Sequence, residues 1–60
     1  MIYKITFKYS ENTYCTNLAM ADSLDKVQDK YRKYEWSNIT EANYGDLAEA
    51  KRKGMPIIEV

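Results

Sequence analysis

An α+β fold of order ββαβαβ is predicted by three features of this sequence. Apolar side chains alternate along its first strand-like segment, the spacing turns helical after Asp22, and a second helix is bounded by a capping box and a Gly-Met-Pro stop. The expected sheet is small and mostly antiparallel, in order 2-1-3, with both helices packed on it. At 60 residues the chain has room for one domain, spanning 1–60.

From Ile2 to Tyr9, Tyr3, Ile5, Phe7 and Tyr9 fall on one face, and Lys4, Thr6 and Lys8 on the other. A period of two marks a strand with one wet face. Ser10-Glu11-Asn12-Thr13 reads as a tight reversal. Tyr14 to Met20 then returns as a second strand, with Leu18 and Met20 expected at the core.

Asp22-Ser23 supplies an N-cap for a helix expected from Ser23 to Tyr34. Leu24, Val27, Tyr31 and Tyr34 form its apolar stripe, and Lys26, Asp29, Lys30 and Lys33 its wet face. Asp22/Lys26 and Asp29/Lys33 stand in favourable i,i+4 order. Trp36 to Thr40 is short and rich in β-formers, a third strand. A right-handed crossover through the first helix sets it beside strand one, antiparallel to it.

Asn43-Tyr44-Gly45-Asp46 has the layout of a capping box, with Asp in place of the usual Glu. Leu47, Ala48 and Ala50 continue the second helix, and Lys51, Arg52 and Lys53 place cations at its carbonyl end. Gly54 is the expected left-handed residue after the helix, and Pro56 prevents continuation. Ile57 to Val60 is a fourth strand, free to add to an edge of the sheet.

Composition narrows the function. Nine basic residues balance nine acidic ones, which argues against non-specific nucleic-acid binding, since that rests on neutralising phosphates. There is one cysteine, Cys15, and no His, so neither an internal disulfide nor a zinc site of ordinary type is expected. A lone thiol, and a start that reads straight into a strand, point to the cytoplasm. No apolar run approaches the roughly 20 residues that span a bilayer. A chain this short buries only about 60% of its unfolded surface, which invites dimerisation or a partner.

Glu41-Ala42-Asn43, Asp46-Leu47, Glu49-Ala50-Lys51 and above all Lys53-Gly54-Met55-Pro56-Ile57-Ile58-Glu59 form a distinctive ending. It resembles the closing motif of small uncharacterised proteins carried on conjugative transposons and phage-like elements of Gram-positive gut bacteria. Thr16-Asn17 and Met20-Ala21-Asp22-Ser23 are similar as well. The resemblance implies a context, that of a mobile-element accessory protein, and brings no site residue with it.

Catalysis is not expected. Without His no Ser-His-Asp or Cys-His arrangement can form, and Cys15 has no cationic neighbour in sequence to lower its pKa. Asp22, Asp25 and Asp29 share a side of the first helix, where a solvated, dipole-favoured helix start explains them better than a cation site. No cofactor, metal or small-molecule site is expected.

Binding of a macromolecule is left. A 2-1-3 sheet exposes the edge of strand two, where Cys15 to Ala19 carry no Lys or Pro as a guard. Asn17 and Leu18 on that edge, with Tyr34 and Trp36 as aromatic anchors, are the candidate protein-binding residues. The expected partner is another protein or, weakly, a second copy. A nucleic-acid-associated regulator is the alternative, using Lys26, Lys30 and Lys33 of the first helix and Lys51, Arg52 and Lys53 of the second.

Overall fold

The structure, a computed structural model describing residues 1–60, contains six elements. They are β1 (Ile2–Ser10), β2 (Thr13–Met20), α1 (Leu24–Tyr31), β3 (Ser37–Glu41), α2 (Tyr44–Lys53) and β4 (Ile57–Glu59). They build an α+β fold around a mixed four-stranded sheet of order β3-β1-β2-β4, with β4 parallel to β2 and the other pairs antiparallel.

β2, β3 and β4 therefore run the same way, opposite to β1. The crossover β2–α1–β3 passes over β1 in one direction along the sheet, and β3–α2–β4 returns past β1 and β2 in the other. Right-handed crossovers in opposite directions put their helices on opposite faces, and the side chains are sorted accordingly. Tyr3, Ile5 and Phe7 of β1, with Ala19 and Ala21, pack against Val27 and Tyr31 of α1. On the reverse face Leu18 is buried, and it lines a cleft with Ala50 and Met55 beneath α2.

The first-strand alternation holds as far as Phe7. Between Lys8 and Ser10 the register shifts at a bulge, which leaves Tyr9 without a partner and turns it to solvent instead of the core. In β2 the core assignment divides. Leu18 is buried under α2, Ala19 is buried under α1, and Met20 is exposed.

α1 is three residues shorter at its end than the apolar stripe suggests. Only five residues separate Tyr31 from Ser37, which must pair with Phe7, so the chain has to leave the helix to reach β3. Arg32 N–H and Tyr34 N–H donate three residues back, to Asp29 and Tyr31, and tighten the exit. Leu24, at the other end, is exposed. Ser23 holds the extended N-cap conformation, yet its side chain makes no capping bond. Asp22–Lys26 pairs as expected, whereas Asp29 pairs with Arg32 rather than Lys33.

α2 follows its sequence signals closely. Asp46 N–H donates to Asn43 Oδ1 at 2.8 Å and Asn43 N–H to Asp46 Oδ2 at 3.0 Å, a complete capping box. At the other end Gly54 has φ +73°. Its N–H donates to the Lys51 carbonyl and that of Met55 to Ala50, the Schellman arrangement. Pro56 then turns the chain into β4, which pairs only with Leu18 to Met20.

Candidate functional site

β4 changes the surface expected to bind. It covers the last three residues of β2, so the free edge of that strand is confined to Thr13 through Asn17. Leu18 is 2% exposed and cannot anchor a partner. Asn17 points to the α1 face, where its Nδ2 donates to the Tyr31 hydroxyl at 3.0 Å. Tyr34 is half-buried, its ring 4.4 Å from that of Phe7 and 5.9 Å from that of Tyr31. These three residues hold the fold together. The physical reason is shared: each lies where a distant element closes over it.

Trp36 is placed otherwise. Its carbonyl accepts the Lys8 N–H at 2.9 Å, extending the β1–β3 ladder by one residue. This sets its side chain on the α2 face of the sheet. Tyr14 lies opposite Lys8 on the other side of β1 and shares that face. The two rings lean toward each other across Lys8, edge to face, with centroids 5.8 Å apart. They cover much of the Lys8 stem, while its ammonium reaches Glu35 at 3.3 Å.

α2 covers only the other end of this face. There Lys4 Nζ meets Asp46 Oδ1 at 3.2 Å. The Asp46 carboxyl is held below the ordinary carboxylate range, first by the Asn43 N–H and then by Lys4. Glu49 is also held low, chiefly by Lys53. The cleft between β2 and α2, about 240 Å³, is rimmed by these same four charged side chains, each already paired. It offers no free charge to a ligand.

Beyond α2 the sheet face is bare. Thr6, Thr16 and Asn38 stand in one row across three strands, with Lys8, Tyr14 and Trp36 in the next. Tyr14 is 60% exposed and Trp36 47%. Tyr14 was not foreseen. Its signal was the alternation of β2 itself, which puts it two residues from Thr16 and four from Leu18 on one face.

The basic residues do not converge. Lys26 and Lys30 stand on α1 and Lys33 in the turn that follows it, while Lys51, Arg52 and Lys53 stand on α2, across the sheet from them. Lys26 is paired with Asp22, and Arg52 and Lys53 with Glu49, while Lys33 lies over the Tyr34 ring at 5.3 Å. No group of three or more His, Cys, Asp or Glu is placed to hold a metal ion. No helix is long and apolar enough to cross a membrane. Compared with known proteins, the chain matches no family model, no curated protein and no solved structure.

Proposed function

We propose that this chain is a small non-enzymatic accessory protein, of the mobile-element kind its ending resembles, acting in the cytoplasm by binding another protein. The observation that carries the reading is the exposed Tyr14–Trp36 pair on the half of the sheet that α2 leaves bare. Trp and Tyr supply large rigid contact area and dominate binding hot spots. The surrounding Thr6, Thr16 and Asn38 form a neutral polar rim, and Glu35 neutralises Lys8 at its centre.

Nucleic acid fits this surface less well. A phosphate backbone would meet a paired lysine between the two rings, and the remaining cations are divided between opposite faces.

Trp36 is the sole tryptophan, so its emission reports on this face directly. Single-stranded and duplex oligonucleotides at physiological salt are expected to leave the emission unchanged, and a saturable change would overturn the reading. A photo-crosslinking residue at position 14, in cells that carry the gene, is expected to join the chain to one protein. Trp36→Ala should abolish that product, and Lys30→Ala with Lys33→Ala should not.

A further inference from the structure

We infer that the outer edge of β3 pairs with the β3 edge of a second copy of this chain, joining two sheets into one. The hydrogen-bond phase of β3 supports this. Trp36 C=O and Ala42 N–H both bond to β1, and in an antiparallel ladder such groups alternate. Asn38 and Thr40 therefore also face β1, and Ser37, Ile39 and Glu41 present both backbone groups outward. Three residues with an N–H and a C=O each leave six free groups in a row. No Lys, Pro or bulge guards them, and Glu41 is the one charge in the strand.

The edge of β2 is a poorer template. Val60 N–H bonds to the Met20 carbonyl, which fixes the opposite phase there and leaves only Tyr14 and Thr16 facing out. An incoming strand would run into Pro56 at the start of β4. The β3 edge is open along its whole length.

The register selects the partner. Antiparallel pairing centred on Ile39 engages all six outward groups of each copy, three N–H and three C=O, and a shift by one pair engages only four. The centred register is its own mirror under a twofold axis, as an isologous dimer requires. It sets Ile39 against Ile39 on the α1 face, and Ile39 is the partly buried member at the margin of the core. Ser37 then faces Glu41, and Asn38 faces Thr40, so no like charges meet. With no net charge, nothing long-range opposes the approach of two copies. The same register sets Ala42 of the second copy opposite Trp36. Tyr44 of that copy, the most exposed aromatic at 91%, lies two residues further on, at the start of its α2. The pairing does not rest on the reading of Trp36 as an anchor.

Sedimentation of the full chain from micromolar to millimolar concentration tests the pairing. A monomer–dimer equilibrium is expected. Glu41→Pro removes an outward N–H that β1 does not use, and should lower dimer affinity at least tenfold while circular dichroism and the crosslink from position 14 to another protein are unchanged. Ser37→Glu, which opposes Glu41 of the second copy, should weaken the dimer several-fold, and Ser37→Lys should not weaken it. A chain that stays monomeric at millimolar concentration overturns the inference, as does a dimer indifferent to Glu41→Pro or weakened equally by both Ser37 changes.

Discussion

Asn17 Nδ2 donates to the Tyr31 hydroxyl at 3.0 Å and so ties the middle of β2 to the last turn of α1. The bond satisfies a hydroxyl on a ring that is 3% exposed. Asn17→Ala strips its partner and is expected to cost about 1 kcal/mol. Tyr31→Phe on the same background removes the stranded hydroxyl, so the double variant should be more stable than the sum of the two losses implies. Urea unfolding of the four proteins measures the coupling, and strict additivity would show that the bond contributes nothing.

Gly54 holds φ +73° with open space where a Cβ would stand. The cost of Gly54→Ala is therefore confined to the left-handed backbone, about 1 kcal/mol. In a chain of this size that lowers the melting temperature by about 4–8 °C. Gly54→Asn should lose less, because Asn tolerates the conformation. Thermal melts followed by circular dichroism decide it, and an unchanged Gly54→Ala melt would contradict the assignment.

Acid should loosen α2. The Asp46 carboxyl titrates below its ordinary value because the Asn43 N–H, and next Lys4, bond to its ionised form. The unfolded chain then takes up the proton first. The stability contributed is whole above the ordinary carboxylate value, near 4, and is lost as pH falls through it toward the lowered one. Urea midpoints should fall across that window. Asp46→Asn should flatten part of the slope, with the share due to Glu49 and Lys53 kept; an unaltered slope would rule the linkage out.

Leu18 lies fully buried beneath α2 in a protein with nine buried residues. Leu18→Ala is expected to cost about 2–5 kcal/mol, comparable with the whole stability of a domain this small. The variant should be largely unfolded at 37 °C by circular dichroism, and no milder for adding a partner protein. A folded Leu18→Ala chain that merely lost binding would restore the β2 edge as a docking surface.

Some of the candidate site was legible before folding, and Trp36 shows why. Its residue type, with Tyr34 close by in the chain, marked it as an aromatic anchor, and it is exposed. Leu18, read from the open edge of a 2-1-3 sheet, is buried instead, and Asn17 and Tyr34 are half-buried. Their burial depends on α1, α2 and β4 arriving from elsewhere in the chain. Tyr14 is exposed because α2 stops short of it, which its own strand pattern does not record.

What the sequence determined by itself were the elements whose energetics are local. The hairpin, the α1 stripe, the Asn43–Asp46 box and the Gly54 stop all involve groups within a few residues of one another, so residue type and spacing suffice. Only the tertiary structure decided which face each helix covers, where α1 must end, and that β4 lies parallel to β2. Those outcomes follow from crossover direction and connection length, quantities that couple Leu18 to Ile57 and Lys4 to Asp46 across some forty residues. No periodicity records a contact between residues that far apart, because each segment's pattern says only that a face must be buried and leaves open what will bury it.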